Sequence, residues 1–214
     1  MFVRSIMIPK HHCVVANAQD DLQKVLDTLL SKDIQGVPVI EDETFRGMIT
    51  KQMIYQRYFY SDDYTDKEAF LNSVTAADIV EHGDLHITEE DVFESTLTAF
   101  KGFPILAVTD ENKHFLGIVT RFDVLEQFES AFGMKKQGVR IAFASIEAEG
   151  RIAKLSELIR NHHGNIISLA TFDETDRLAR RIVLKLENNE NVDVDRFLTR
   201  LEKSGFRVLD VKTV

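Results

Sequence analysis

The run Gly117-x-x-Thr120-x-x-Asp123 carries residue types suited to holding a phosphorylated ligand. A glycine such as Gly117 lets a strand approach another group closely. Thr120 falls where that strand is expected to become a helix, so its hydroxyl and the adjacent free N–H groups would form an anion site. Asp123 follows one turn later on the same helix face, where a carboxylate can accept hydrogen bonds from two ribose hydroxyls. The spacing predicts a nucleotide, with its phosphate at the helix start.

This run belongs to an internal repeat. Residues 36–40 (GVPVI), a polar turn and residues 45–50 (FRGMIT) match residues 102–108 (GFPILAV), a second polar turn and residues 115–120 (FLGIVT). The prolines Pro38 and Pro104 lie 66 residues apart, whereas the paired glycines and threonines lie 70 apart. The alignment therefore predicts a four-residue insertion in the second hairpin turn, where an insertion costs little.

The same elements are expected around each hairpin. Short strands are predicted at 13–16 and 85–88, followed by helices at 20–31 and 89–101 with apolar residues at helical spacing. A further helix is expected after each hairpin, because Thr50 and Thr120 are suitable N-cap residues. Each repeat is thus predicted to be a strand, helix, strand, strand, helix unit.

This unit, present twice, resembles a tandem pair of CBS domains (a Bateman module). The resemblance rests on the two matched hairpins, on the run 117–123 (GIVTRFD), and on lead-in segments at 5–9 (SIMIP) and 77–80 (ADIV). It covers roughly residues 1–134 and implies two domains, at 1–74 and 75–134. In this family the threonine and the aspartate of the run contact phosphate and ribose.

The resemblance therefore implies that Thr120 and Asp123 hold the phosphate and the ribose, and Arg121 could add charge at the phosphate. The adenine slot would be lined by Phe103, Pro104, Ile79 and Val80.

The first repeat departs from this pattern. Thr50 is kept, but Met53 stands where the aspartate would be, and a methionine cannot hold ribose hydroxyls. Lys51, Gln52 and Arg57 could still serve phosphates, and the alternative is that Thr50 is only a helix cap. The candidate residues of this first site are Thr50, Lys51, Val37 and Pro38.

An aromatic and acidic segment joins the two repeats. Residues 55–64 (YQRYFYSDDY) contain all 4 tyrosines of the chain. A tyrosine can stack on an adenine while its hydroxyl stays in water. The alternative is that these aromatic side chains are buried in the core at the end of a helix. We expect the core role for Phe59 and leave the tyrosines open.

The pattern changes after residues 133–138, where two glycines around a basic stretch predict a linker. Strands are expected at 139–146, 166–172, 179–186 and 208–211, and helices from Ile152 to Gly164 and from Val194 to Gly205. The order strand, helix, strand, strand, helix, strand is the ferredoxin-like plan. The predicted fold class is α/β (α+β): a CBS-domain pair followed by a ferredoxin-like βαββαβ domain at 138–214.

This third domain resembles an ACT domain, on residues 147–152 (EAEGRI) and 163–166 (HGNI). That family uses the glycine turn beside small ligands such as amino acids, and commonly pairs its sheets edge to edge. The implied ligand turn is Glu149, Gly150 and Arg151, but the family's frequent proline is absent. We therefore favour a dimerising role over amino-acid binding.

Composition excludes several classes of function. The net charge of -9 argues against sequence-independent nucleic-acid binding and against anionic membranes. The single cysteine, Cys13, excludes an intramolecular disulfide and fits a reducing compartment. With no signal-like or membrane-spanning apolar run, we expect a soluble, cytoplasmic chain.

Neither a metal site nor a catalytic constellation is expected. Adjacent residues of the His11-His12-Cys13 run would point in opposite directions on a strand, so a strand start with Cys13 buried is the simpler interpretation. The pair His162-His163 is interpreted as a helix C-terminal cap. No nucleophile elbow and no Walker loop occurs.

The sequence thus predicts a non-enzymatic regulatory sensor without a cofactor. Its ligand would be an adenine nucleotide, with cyclic di-AMP first, since bacterial CBS-plus-ACT proteins include such binders, and AMP or ATP next. We expect a homodimer that signals to an unknown protein partner through a change of shape. The alternatives are an amino-acid-responsive regulator and an adaptor whose nucleotide cleft is vestigial.

Overall fold

A computed structural model describes residues 1–61, 66–146, 148–173, 179–188 and 193–214 of the chain. It divides into two compact units, 1–125 and 126–214. The division falls inside a helix, between Leu125 and Glu126. Within the described residues, no helix is both long and apolar enough to cross a membrane.

In the described ranges the first unit contains seven strands, five helices and the start of a sixth helix. The strands are β1 (Ile8–Pro9), β2 (Ala16–Asn17), β3 (Gly36–Glu41), β4 (Thr44–Thr50), β5 (His86–Thr88), β6 (Ile105–Thr109) and β7 (Phe115–Thr120). The helices are α1 (Leu22–Ser31), α2 (Lys51–Phe59), α3 (Lys67–Ser73), α4 (Ala76–Ile79), α5 (Thr96–Ala99) and α6 (Arg121–Ala131).

The two repeats form two similar sheets. In one, β2 pairs parallel with β3 and β3 pairs antiparallel with β4. In the other, β5 pairs parallel with β6 and β6 pairs antiparallel with β7, in the order β1-β7-β6-β5. The hairpin turns also pair with each other, because Phe45 N–H donates to Lys113 O (2.9 Å) and Phe115 N–H donates to Glu43 O (2.8 Å). The predicted repeat is confirmed.

The alignment of the first hairpin strands is wrong by three residues. Gly36 pairs with Thr50 and Ile105 pairs with Thr120, so the equivalent residues of β3 and β6 are 69 apart, not 66. The second turn is therefore one residue longer than the first, not four. Pro38 corresponds to Ala107 rather than to Pro104, since pairing registers decide equivalence and a shared proline does not.

The first helices of the two repeats differ. Asp21 caps α1 by accepting from Lys24 N–H (2.7 Å), and Leu22, Val25, Leu26 and Leu29 are buried. The helix predicted at 89–101 is reduced to a 3₁₀ turn at Phe93–Ser95 and to α5. Asp91 holds the chain in a turn at the start of this segment, because its carboxylate accepts from the N–H and hydroxyl of Thr88 (2.8 and 2.7 Å).

The second unit has the predicted ferredoxin-like topology. Its elements are β8 (Gly138–Ile146), α7 (Arg151–Asn161), β9 (Ile166–Asp173), β10 (Ala179–Glu187), α8 (Val194–Lys203) and β11 (Phe206–Thr213). The antiparallel sheet has the order β11-β8-β10-β9. Alternate residues of β8 and β10 pack with Leu155, Phe197 and Leu201 of the helices to form the core.

Residues 133–138 belong to the second unit instead of connecting two units. Gly133 is buried at φ 62°, and a Cβ atom there would lie 2.2 Å from a methyl group of Ile167. Its carbonyl accepts a hydrogen bond from the buried Lys185 Nζ at 3.0 Å. Gly138 starts β8. The two glycines therefore serve packing here and not flexibility.

Candidate functional site

Each repeat of the first unit receives the lead-in segment of the other repeat. Ile8 pairs with Ile118 as β1 joins β7, and Glu81, directly after the second lead-in segment, bridges to Met48 of β4 through Met48 N–H to Glu81 O at 2.7 Å. This exchange places two clefts at the starts of α2 and α6. We call them the Thr50 cleft and the Thr120 cleft.

The Thr120 cleft has a volume of about 530 Å³. Its residues come from the first lead-in region, the loop before β3, and the strand ends around α6. They are Ile8, His12, Cys13, Val14, Asp33, Ile34, Gln35, Gly36, Pro104, Ile105, Ile118, Thr120, Arg121 and Phe122. Largely apolar walls with a few polar groups are typical of small-ligand sites, and so is this volume.

Thr120 and Asp123 form a reciprocal cap at the start of α6. The Asp123 carboxylate oxygen Oδ2 accepts from Thr120 N–H (3.0 Å) and from the Thr120 hydroxyl (2.6 Å). The Thr120 oxygen accepts in turn from Asp123 N–H at 3.1 Å. This geometry is the capping box. No described residue donates to Oδ1 of Asp123, but Asp123, unlike Thr120, is not among the residues that line the cleft.

The capping box alone does not identify a ligand site. Thr75 with Asp78 and Thr88 with Asp91 make the same threonine-to-carboxylate hydrogen bonds at 2.7 Å. None of these four residues lines either cleft. The Thr120–Asp123 box differs from these two in that its threonine lines an open cavity, although Asp123 itself is not among the lining residues. The sequence motif by itself is therefore not specific.

Arg121 begins α6 and is exposed. Its N–H donates to Pro104 O at 3.0 Å, and its guanidinium group lies 5.5 Å from the centre of the Phe100 ring. The cation–π contact leaves the N–H donors of the group able to bind an anion. Arg121 thus brings a positive charge to the lining of the cleft.

Cys13 lies in the wall of the Thr120 cleft and is half-buried. Its thiol donates to the carbonyls of Ile8 and Pro9, each at 3.3 Å. Burial raises the pKa of the Cys13 thiol, which keeps it protonated. The predicted strand start is replaced by a 3₁₀ turn at Lys10–His12.

The Thr50 cleft is larger, at about 860 Å³. It is formed by the start of α2, the aromatic end of α2, the loop before β6 and the residues that follow the second lead-in segment. They are Gln35, Thr50, Lys51, Gln52, Met53, Tyr55, Gln56, Phe59, Tyr60, Glu81, His82, Gly102, Phe103 and Pro104. The walls are richer in aromatic residues than those of the Thr120 cleft.

At the start of α2 the capping box is incomplete. The Thr50 hydroxyl accepts from Met53 N–H at 3.1 Å, which confirms the predicted N-cap, but the side chain of Met53 offers no carboxylate. On the opposite wall the rings of His82 and Phe103 meet edge to face at 4.6 Å. Lys51 and Glu81 bring one charge of each sign, so the lining of this cleft is aromatic more than charged.

Four further residues that the sequence analysis assigned to the nucleotide sites do not line either cleft. Ile79 is buried in the core and Val80 packs against it, so neither lines a cleft. Val37 and Pro38 are also buried within β3. The corrected register explains this, because it makes Ile34 and Gln35 the equivalents of Phe103 and Pro104, and both of these residues line a cleft.

Phe103 lines the Thr50 cleft, whereas Pro104 lines both. Sequence reasoning missed the residues that the lead-in regions contribute, which are Ile8, Cys13 and Val14 in one cleft and Glu81 and His82 in the other. The signal was present in the paired glycines Gly47 and Gly117, where another strand approaches closely.

The aromatic residues in the second half of α2 and directly after it are divided between cleft and core. Tyr55 and Tyr60 line the Thr50 cleft, whereas Tyr58 packs on Phe70 with ring centres 5.2 Å apart. The core role predicted for Phe59 is wrong, since its side chain is 79% exposed and lines the cleft. Tyr64 lies outside the described residues.

The glycine turn of the second unit has free space around Gly150, but Arg151 beside it makes hydrogen bonds within the protein. Gly150 has φ 76°, a Cβ atom there would meet no other atom within 4 Å, and Glu149 is exposed. Arg151 donates to Ser145 Oγ (2.8 Å), Ser204 O (3.2 Å) and Gly205 O (2.7 Å). Arg151 therefore joins the end of α8 to β8. The described residues include no cluster of three or more metal-ligating side chains.

Solved structures similar to this chain are pairs of CBS domains. A CBS domain-containing protein of unknown function from Bacillus anthracis is 21% identical, with 60% of this chain and 93% of that chain covered and a TM-score of 0.53. CBSX2 (from Arabidopsis thaliana) in complex with AMP is 20% identical, covering 63% and 98%, with a TM-score of 0.52. CbpB in complex with c-di-AMP is 21% identical, covering 61% and 85%, with a TM-score of 0.54.

At these identities the similarity concerns the fold. The family assignment rests on a sequence model of the CBS domain, which matches residues 3–59 and 76–130, or more than half of the chain. The two matches coincide with the two repeats and with the exchanged lead-in segments. The chain belongs to the CBS domain family and carries its domain as a tandem pair.

Proposed function

We propose that this chain is a regulatory sensor that binds an adenine nucleotide in its CBS pair and signals to a protein partner by changing conformation. The observation that carries the proposal is the Thr120 cleft, a largely apolar cavity whose lining includes Arg121 and Thr120, the residue that forms the box with Asp123. The AMP and c-di-AMP complexes of proteins with the same fold support the ligand class.

The Thr120 cleft suits a mononucleotide with free ribose hydroxyls. Asp123 Oδ1 would accept from the ribose, while the α6 start and Arg121 would hold the phosphate. The adenine would lie against apolar walls such as Ile8, Val14 and Ile118. AMP or ATP is the ligand that we propose for this cleft.

The Thr50 cleft suits a ligand that needs no ribose carboxylate. In cyclic di-AMP each ribose has one of its hydroxyls in the phosphodiester ring, so a carboxylate that accepts from two hydroxyls is not required. Met53 in place of an aspartate, the aromatic walls and the volume of about 860 Å³ fit such a ligand. Cyclic di-AMP remains the ligand that we rank first for the protein.

Calorimetric titration of the full chain with cyclic di-AMP, AMP and ATP tests the sensor. We expect binding of at least one ligand, with Asp123→Ala affecting AMP and ATP and Phe103→Ala affecting cyclic di-AMP. Heat with none of the three would overturn the proposal and would leave an adaptor with a vestigial cleft. Chromatography of each nucleotide after incubation should recover it unchanged, since a sensor does not consume its ligand.

For the second unit we propose an ACT-like role in dimerisation, in a cytoplasmic protein. The edge strand β9 supports it, because Ile166, Leu169 and Phe172 are partly exposed there, and an unpaired apolar edge favours pairing with another chain. Light scattering should show a dimer that Phe172→Glu weakens. Amino-acid binding at Gly150 is less favoured, since Arg151 already makes its hydrogen bonds within the protein. An increase in melting temperature on adding an amino acid would instead support the amino-acid-responsive regulator.

A further inference from the structure

The second unit holds a cationic cavity that the nucleotide clefts do not explain. The cavity has a volume of about 480 Å³ and lies between the end of α7 and one face of α8. Its basic residues are Arg196, Arg200, Lys203, His162 and His163. The one acidic residue in its lining is Asp193, which accepts from Arg196 N–H at 2.9 Å as the cap of α8. We call it the α8 cavity.

The three cations on α8 repel one another. Arg196 and Arg200 are four residues apart and Arg200 and Lys203 are three apart, so all three lie on one helix face. Like charges at these spacings destabilise a helix. Across the described ranges no salt bridge joins any of the three to an acidic side chain, although Arg160 of α7 lies near Glu157. An anion in the cavity would remove this repulsion.

The three cations of α8 contrast with the charge of the chain as a whole, which is acidic. Residues 1–125 contain 11 Lys and Arg against 21 Asp and Glu, a net charge of -10, whereas residues 126–214 have 15 against 14, a net charge of +1. A patch that concentrates three cations on one helix face is thus not a consequence of overall composition.

One wall of the cavity is held in a fixed position. His162 Nδ1 must donate its proton to Leu158 O at 2.9 Å, because a carbonyl oxygen can only accept. The same ring contacts Phe197 edge to face, with centres 5.6 Å apart. Phe197 is fully buried, so the histidine wall is anchored to the core beside the long side chains of the arginines.

We propose that the α8 cavity binds a small polyanion that carries two or more adjacent phosphate groups. Guanidinium groups bind phosphate oxygens through paired hydrogen bonds. Side chains four residues apart on a helix are separated by about 5–6 Å at Cβ, which suits successive phosphates of a di- or triphosphate. A volume of about 480 Å³ fits a small molecule better than an extended acidic peptide.

Calorimetry of the full chain with sodium tripolyphosphate, pyrophosphate and sulfate at fixed salt tests this site. We expect tripolyphosphate to bind more tightly than pyrophosphate, and sulfate to give no measurable heat. Arg196→Gln with Arg200→Gln should reduce the tripolyphosphate affinity at least tenfold. Arg207→Gln with Lys212→Gln is the matched control, since it removes the same charge from exposed positions of β11 outside the cavity.

Two results would overturn the proposal: an equal loss of affinity in both double variants, or no binding of tripolyphosphate by the unmodified chain. Circular dichroism of each variant shows whether it folds, and Lys203→Gln alone provides a milder change in the same cavity. Titration of an Asp123→Ala chain separates this site from the nucleotide clefts. Tripolyphosphate binding should persist there whether or not the chain binds nucleotides.

Discussion

Gly117 lies so close to Ile8 that a Cβ atom at residue 117 would stand 2.2 Å from the Ile8 carbonyl oxygen. The contact comes from β1 crossing onto β7. Gly47 has the same relationship to Glu81, whose carbonyl oxygen would be 2.3 Å away. The glycine of each repeat therefore admits the lead-in segment of the other repeat, and this exchange builds both clefts.

We expect Gly117→Ala to displace β1 and to destabilise the first unit by about 1–3 kcal/mol, the range for overpacking a well-packed site. A backbone carbonyl cannot move aside as a flexible side chain can. Since Ile8 also lines the Thr120 cleft, AMP affinity should fall. Denaturant unfolding and calorimetry measure the two effects.

Gly102→Ala is the control for that change. Gly102 has φ 96°, but a Cβ atom there would meet nothing within 4 Å. Gly102→Ala therefore adds backbone strain without a steric clash of the new methyl group. A Gly117→Ala chain with unchanged stability and affinity would show that β1 does not need this close approach.

Asp123→Asn should weaken AMP or ATP binding by about 1–3 kcal/mol, the cost of losing hydrogen bonds to a charged group. Asp78→Asn is the matched control, because Asp78 makes the same capping box with Thr75, and Thr75, unlike Thr120, lines neither cleft. Calorimetry should separate the two variants even where their melting temperatures fall equally. Equal nucleotide affinity in both would mean that the ribose is held elsewhere.

Met53→Asp should add a mononucleotide site to the Thr50 cleft. Met53 N–H already donates to the Thr50 hydroxyl, so an aspartate there can complete the box seen at Thr120. We expect the number of AMP molecules bound per chain to rise, while cyclic di-AMP binding weakens because of the added negative charge. An unchanged stoichiometry would show that the box does not determine ribose binding in this cleft.

The architecture of both units could be predicted from the sequence, but the composition of the clefts could not. Helical spacing around Leu22 and Leu29, and glycine stops such as Gly205, are local signals that agree with the fold. The register of β3 is not local: Pro38 and Pro104 suggested an alignment that strand pairing overrides. Exchange of the lead-in segments is a long-range property, which is why Ile8 and Glu81 were not predicted at the sites.

Arg151 should contribute to the stability of the second unit rather than to ligand binding. Its guanidinium group donates to the carbonyls of Ser204 and Gly205 beyond the end of α8 and lies 4.0 Å from the centre of the Phe206 ring. Arg151→Ala leaves those carbonyls without this donor, which costs about 1–3 kcal/mol. Arg151→Lys should recover little, since lysine lacks the planar fork.

Chemical denaturation of the full chain measures that effect, with Arg160→Ala as the comparison, because Arg160 is exposed on the same α7 helix. If Arg151→Ala instead left stability unchanged and abolished a thermal shift by an amino acid, the glycine turn would be a ligand site.

His86 should make the first unit less stable as the pH falls below about 6.5, the usual histidine pKa. Burial lowers the pKa of His86, the nearby Lys113 lowers it further, and Asp84 opposes both. The unfolded chain therefore takes up a proton at a higher pH than the folded chain. The stability that neutral His86 contributes is fully present above about pH 6.5 and is lost as the pH falls toward the lowered folded pKa.

The surroundings of His86 account for this direction. Its Nδ1 lies 3.2 Å from the Thr109 hydroxyl in the parallel β5–β6 pair, and its ring contacts Phe45 of the other repeat at 6.1 Å. Thermal unfolding of the unmodified chain between pH 8 and pH 5 should show a fall in the midpoint that is smaller in His86→Gln. His11→Gln, at an exposed position, should follow the unmodified chain. Parallel curves for all three proteins would assign the acid sensitivity to other groups.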